Sequence, residues 1–370
     1  MRTVIFLIAA LLVLGGLASW VSGPEGVSAR IGLNQGASVQ ETHAADEAAQ
    51  NRDEIVAAEP EARVANALST QASVDELAPE TTTDPATEAD AQTSSPVASV
   101  PPVAPVGAQP LDRRIILSGH SLTDAMREEL PRLVRAAGGP VGSVALSTIP
   151  GSPMDWRWEH RTNPPDARAD IADFDVMVQT ERVALSGTRP WHNSDDEALR
   201  WARHGWENGA GGQGAEVLLY ASWVTLDTGP GHDTHADPDR DLPWRDRLDR
   251  EFAGWEAIMA HVNANRPDGA PQMRMIPATL VMAAVYDAID GGQAPEGLSD
   301  IRQLFSDDIH AAPLGAWLVA LTHYAVIYAR DPRGLPGPEG GVASPALVDW
   351  AQVLVWDVVT GYPGTGVQAD

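Results

Sequence analysis

From Leu111 onward the chain carries five short apolar runs: Arg114–Leu117, Ser143–Leu146, Val176–Gln179, Val217–Ala221 and Met273–Ile276. Each is separated from the next by a stretch long enough for a crossover. Short runs of this kind suit strands buried on both faces, and long crossovers join parallel neighbours rather than hairpin partners. Between the runs, Asp195–Trp206 and Trp244–Asn265 have helical spacing, and Leu314–Arg330 and Pro345–Val359 have it after the last run. Within the final segment, Val348, Ala351, Val355 and Val358 share a face with Leu354, as in a helix packed on a sandwich. The expectation is an α/β domain over residues 111–370, a three-layer α/β/α sandwich around a five-stranded parallel sheet. Ligands of such sheets gather at the carboxyl ends of the strands, so the chemistry is to be sought just after each run.

The rest of the chain has a different character. Residues 35–110 hold 13 Asp and Glu against 2 Arg and not one Phe, Trp or Tyr. Such a stretch buries too little apolar surface to offset its chain entropy, so residues 30–110 are expected to be a disordered acidic Pro/Ala/Thr-rich linker. Before it, Arg2 precedes Val4–Val21, a run without a charge, and Val27-Ser28-Ala29 offers the small residues of a cleavage site. Residues 1–29 therefore read as an export signal or an N-terminal membrane anchor, with the remainder extracytoplasmic in either case and the membrane touched only through residues 4–21.

Composition removes several chemistries. The net charge is −26, every basic residue is arginine, and there is no cysteine. A Schiff-base lysine, a lysine-bearing phosphate loop, a thiolate zinc site and a disulfide framework are all excluded. Nucleic acid is not an expected partner of so acidic a chain.

After the first run comes Ser118-Gly119-His120-Ser121-Leu122. The glycine permits a sharp exit from the strand and sets Ser121 at the start of a helix, whose backbone N–H and dipole point where an oxyanion would form. Far downstream stands Asp307-Asp308-Ile309-His310, just before a late helix. A nucleophilic serine needs a histidine base, and the base needs an acceptor on its other nitrogen. Asp307 and His310 can supply both from one turn. No G-x-S-x-G elbow occurs, which sets aside the α/β-hydrolase arrangement.

Gly119-His120-Ser121-Leu122 and Asp307-Asp308-Ile309-His310, in this order, resemble the G-D-S-L and D-x-x-H blocks of the SGNH (GDSL-like) hydrolase family. The resemblance implies a flavodoxin-like sandwich with Ser121 as nucleophile, His310 as general base and Asp307 as its orienter. It further implies oxyanion donors at Ser121 and at Gly151, the nearest match to the second-block glycine. Where the family has G-x-N-D, this chain has Gln179-Thr180-Glu181-Arg182, and His120 replaces the usual aspartate. Either Gln179 or Thr180 takes over the asparagine's donor role, or Glu181 pairs with Arg182 and points away. The implied activity is hydrolysis of an O-acyl ester on a small molecule or polysaccharide, without a cofactor. An O-acyltransferase on the same triad, or a glycan-binding protein that keeps the fold without catalysis, are the other readings.

Three further signals bear on the site. Gly231–Asp241, with His232, His235, Asp237, Asp239 and Asp241, imitates a metal loop, but Leu242 and Leu248 occupy the positions where a calcium loop has glycine and glutamate. A solvated loop with no metal is expected. Trp156 and Trp158, one residue apart on a segment expected to be irregular, are candidates to line a substrate cleft. His192, His204, His261 and His323 are expected to be structural.

Overall fold

A computed structural model describes residues 103–227 and 237–369. The export segment, most of the linker and the histidines of the 231–241 loop lie outside the described residues. In chain order the elements are β1 (Ile115–Gly119), α1 (Ser121–Asp124), α2 (Met126–Ala136), β2 (Val144–Thr148), α3 (Met154–Glu159), β3 (Val176–Gln179) and α4 (Leu185–Trp191). They continue as α5 (Ser194–Asn208), β4 (Glu216–Tyr220), α6 (Trp244–Asn265), β5 (Arg274–Ile276), α7 (Ala278–Asp290), α8 (Pro313–Tyr328) and α9 (Pro345–Gly361).

All five strands are parallel, in the order β2-β1-β3-β4-β5. Because strand side chains alternate, each run supplies both faces of the sheet. Ile115, Leu117, Val176, Val178, Leu218, Tyr220 and Ile276 join one core, which is covered by α2, α7, α8 and α9. Ile116, Met177, Val217, Leu219 and Met275 join the other, beneath α3, α5 and α6. This is the α/β/α sandwich expected, and its strand order is that of flavodoxin-like sheets. Every residue of α8 from Leu314 to Tyr328 is buried, so that helix is apolar all round and is itself roofed by α9.

The amino edge of the sheet is closed by charge. Glu216 at the start of β4 pairs with Arg113 at 2.6 Å and with Arg274 at 2.7 Å. Burial pushes the Glu216 carboxyl up, but Arg274 and Arg113 outweigh it and hold the group below its ordinary range. Residues 103–110, assigned by composition to the linker, belong to this edge. Val106 N–H donates to Gly366 O at 2.8 Å, Gln109 N–H to Tyr328 O at 2.7 Å, and Val103 is buried. A proline-rich strap of this kind is held by its backbone groups, which apolar patterning does not reveal. Ser121 and the loops after the other strands stand at the opposite, carboxyl edge.

Candidate active site

Ser121 is the first residue of α1, immediately after β1. The glycine before the turn is required by proximity. A Cβ on Gly119 would sit 1.9 Å from Thr123 Oγ1, so only glycine lets α1 fold back against the strand end. The helix is a single turn, broken at Ala125 before α2, so little macrodipole stands behind Ser121.

His310 reaches Ser121 from the turn preceding α8. Its Nε2 lies 2.9 Å from Ser121 Oγ, and its Nδ1 lies 2.7 Å from Asp307 Oδ2. The other carboxylate oxygen of Asp307 accepts the backbone N–H of His310 at 2.6 Å and of Ile309 at 2.9 Å. Those two N–H groups, and then the imidazole, hold the Asp307 carboxyl down at about 2. An ionised Asp307 fixes the proton of His310 on Nδ1, which leaves the Nε2 lone pair facing the serine hydroxyl. The imidazole and the carboxylate are 44% and 50% exposed, so this chain of three groups lies open to solvent.

The histidine turn is clamped by residues that the sequence patterns did not single out. Trp223, just past β4, donates its indole N–H to Ile309 O at 2.9 Å. Leu226 N–H donates to Asp308 O at 2.6 Å, and Thr225 Oγ1 donates to Asp308 Oδ2 at 3.0 Å. Trp223 is fully buried and meets Phe305 edge-on. The only available signal was position, since Trp223–Leu226 directly follow the fourth strand.

The expected donors after β3 do not serve the serine. Gln179 is buried on the α5 side and gives its amide N–H to Ala198 O at 3.2 Å. Thr180 gives its hydroxyl to Tyr220 O at 2.8 Å. The Thr180 hydroxyl is thus spent inside the core, which corrects that assignment, and the buried Gln179 amide gives one of its two N–H groups there. Glu181 is fully buried and does point away, although its partner is not the Arg182 side chain. Its Oε1 accepts the backbone N–H of Arg182 at 2.7 Å and of Met154 at 2.9 Å. Gly151 adopts φ +66° in the turn after β2, a left-handed conformation that suits glycine.

Three buried groups tie the loops after β1, β2 and β3 together. His120 Nε2 lies 3.0 Å from Glu181 O, and its Nδ1 accepts the Leu122 N–H at 3.4 Å. Burial, reinforced by the charge of Arg157, drives the imidazole down to about 3, so His120 is neutral and Nε2 carries the proton it donates. Arg157 Nη1 donates to Ser152 O at 2.5 Å and to Ser152 Oγ at 3.2 Å, and its Nη2 donates to Thr180 O.

The segment carrying the tryptophan pair is not the irregular one expected. The segment is helical, and Trp158 packs between α3 and α5, edge-on to Trp201 with the Arg200 guanidinium 4.0 Å above its ring. It fills the outer layer and does not line a cleft. Trp156 stacks on His160 with centroids 3.6 Å apart and stays partly exposed.

The remaining histidines have partners of their own. His192 meets Asp155 at 2.9 Å, His204 meets Arg168 O at 2.8 Å, His261 meets Asp196 at 2.9 Å and His323 meets Val319 O at 2.9 Å. Among the described residues no group of three or more His, Asp or Glu is placed to hold a metal ion. Asp237 departs from the expected solvated loop: it is buried, ion-paired to Arg247 and accepts the Ser186 hydroxyl at 2.7 Å.

No family model matches the chain, and no curated protein matches it. Solved structures do. A DUF4886 family protein from Bacteroides uniformis shares 14% identity over 68% of this chain and 95% of its own, with a TM-score of 0.49. A candidate SGNH hydrolase from Slackia heliotrinireducens shares 17% identity over 57% of this chain and 96% of its own, with a TM-score of 0.39. An acetyl xylan esterase shares 15% identity over 58% and 98%, with a TM-score of 0.35. At identities and TM-scores this low the likeness assigns no role to this chain, and the α/β/α sandwich stands on the strand order and the two cores alone.

Proposed function

We propose that the domain is a serine esterase of the SGNH type that hydrolyses an O-acyl ester. The observation that carries this reading is the run of hydrogen bonds from Asp307 through His310 to Ser121. Ser121 Oγ attacks the ester carbonyl while His310 Nε2 takes its proton. The imidazolium, steadied by Asp307, returns the proton to the departing alcohol. Water, deprotonated by the same nitrogen, then releases the acid from Ser121. The oxyanion is held by the backbone N–H groups of Ser121 and Gly151, since the side chains of Gln179 and Thr180 are committed elsewhere. The openness of His310 and Asp307 favours an ester presented on a large soluble molecule, such as an acetyl group on a polysaccharide. The sequence of residues 1–29 supports a location outside the cytoplasm, with residues 4–21 as the candidate anchor.

The test follows p-nitrophenol release from its acetate ester by wild type, Ser121→Ala and His310→Ala, alongside labelling by a fluorophosphonate. Turnover and labelling in wild type, lost in Ser121→Ala, are expected. Equal slow hydrolysis by all three proteins with no labelling would remove the nucleophile assignment. A non-catalytic glycan-binding protein would then be the reading to pursue, and glycan titration would test it. An acyltransferase would instead show labelling at Ser121 with transfer to a sugar hydroxyl exceeding hydrolysis.

A further inference from the structure

Three loops must keep their spacing for the proposed reaction to proceed, because Ser121 stands on the loop after β1 and Gly151 on the loop after β2. The loop after β3 lies against both. Its side chains at 179 and 180 donate into the core, so its contribution has to be mechanical.

We infer that His120, Arg157 and Glu181 form one buried positioning latch that fixes the Ser121 and Gly151 loops against the loop after β3. The inference rests on the serine-esterase reading above. His120 joins the first loop to the third through Glu181 O, while its other nitrogen caps α1 at Leu122 N–H. Arg157 joins the second loop to the third by donating to Ser152 O, the residue after Gly151, and to Thr180 O. Glu181, whose carboxyl burial pushes up against the pull of the Arg157 charge, anchors the start of α3 at Met154 N–H. All three side chains are almost completely enclosed, at 3%, 4% and 0% exposure for His120, Arg157 and Glu181. None needs to touch substrate, so these are positioning residues.

The departure at position 120 follows from a main-chain carbonyl in the third loop. The Glu181 carbonyl needs a donor from position 120, and a neutral imidazole provides it while accepting from Leu122 with its second nitrogen. An ionised aspartate at 120 has no hydrogen to give and would set a second carboxylate beside buried Glu181. Restoring the family residue is therefore expected to damage this protein.

The experiment compares kcat and KM of the full-length protein with His120→Ala, His120→Asp, His120→Asn, Arg157→Met and the His120→Ala/Arg157→Met pair. Fluorophosphonate labelling rates and thermal melting are measured on each. Small displacements of positioned groups cost up to about 100-fold in rate. The expected result is a kcat loss of about 10- to 100-fold for His120→Ala and Arg157→Met, with KM changed less than about 3-fold. The double variant should lie within about 3-fold of the worse single one, as for groups acting as a unit. His120→Asn, which keeps a donor and an acceptor, should exceed the isosteric His120→Asp by about 10-fold in kcat. Unchanged kcat in folded His120→Ala, equal Asn and Asp variants, or multiplicative losses in the double variant would overturn the latch while leaving the esterase reading intact. If Arg157→Met does not fold, the Asn and Asp comparison decides alone. A wild type that neither turns over nor labels would remove the esterase reading and the latch with it.

Discussion

Glu251 gives the most quantitative check on how this domain is held together. It lies on α6 and is buried, with both carboxylate oxygens on the Leu185 N–H that opens α4, at 2.9 and 3.1 Å. One turn earlier Arg247 is already ion-paired with buried Asp237, so two carboxyls face one guanidinium. Burial pushes Glu251 up to about 8, against the pull of Leu185 N–H and Arg247. The unfolded chain releases this proton near its ordinary value of about 4.3. Between those limits the folded protein binds the extra proton, so stability is greatest at low pH and falls as pH rises towards 8. A full proton of difference is worth about 1.4 kcal/mol per pH unit, hence about 3 kcal/mol between pH 5.5 and 7.5. For a domain of this size that corresponds to a Tm change on the order of 5–10 °C. Glu251→Gln can still accept from Leu185 and cannot ionise. The assay is thermal unfolding of wild type and Glu251→Gln across this range, in which every other titrating group is common to both and cancels. The gap in Tm should widen with pH in favour of the glutamine variant. Parallel curves would mean that Glu251 is already ionised at pH 5.5 and that the buried-carboxyl account is wrong.

Three more outcomes follow from the site and its supports. Asp307→Asn should lower kcat by about 10³- to 10⁴-fold, because an amide N–H facing Nδ1 forces the proton onto Nε2, towards the serine; a loss under tenfold would refute the tautomer argument, with initial rates as the measurement. Trp223→Phe keeps the ring against Phe305 and removes the donor to Ile309 O. About 1 kcal/mol, or roughly fivefold in kcat, is expected from that bond, and an unchanged rate would show that the histidine turn needs no clamp. Gly119→Ala should destabilise by about 1–3 kcal/mol, as for an overpacked core, since its Cβ meets Thr123 at 1.9 Å; urea unfolding measures it, and wild-type stability would refute the packing claim.

Much of the architecture was legible because burial on both faces leaves a plain mark on a parallel strand. Ile115-Ile116-Leu117 and Val176-Met177-Val178 read as apolar whichever core each side chain joins. The closeness of Ser121, Asp307 and His310 was legible for another reason: the proposed nucleophile, base and orienter must adjoin, and strand ends are where such sheets gather side chains. What escaped was whatever depends on backbone partners. Trp223 looks like core until its indole N–H is seen on Ile309 O. Gln179 and Thr180 look like free donors until Ala198 O and Tyr220 O are found to occupy them. Arg157, between two tryptophans, gave no sign that its guanidinium would bind carbonyls of two separate loops. The strap at 103–110 escaped likewise, being held by main-chain N–H groups in a stretch whose composition resembles the linker.

That strap has a geometric consequence. Val106 is bonded to Gly366, and Ala104 donates to Gln272 just ahead of β5, so the chain joins and leaves the described domain at the same pole. Ser121 and His310 lie at the opposite pole. Residue 103 and residue 369 are thus both far from Ser121, so the described domain can be grafted to a bead or a surface through either end with the serine left uncovered.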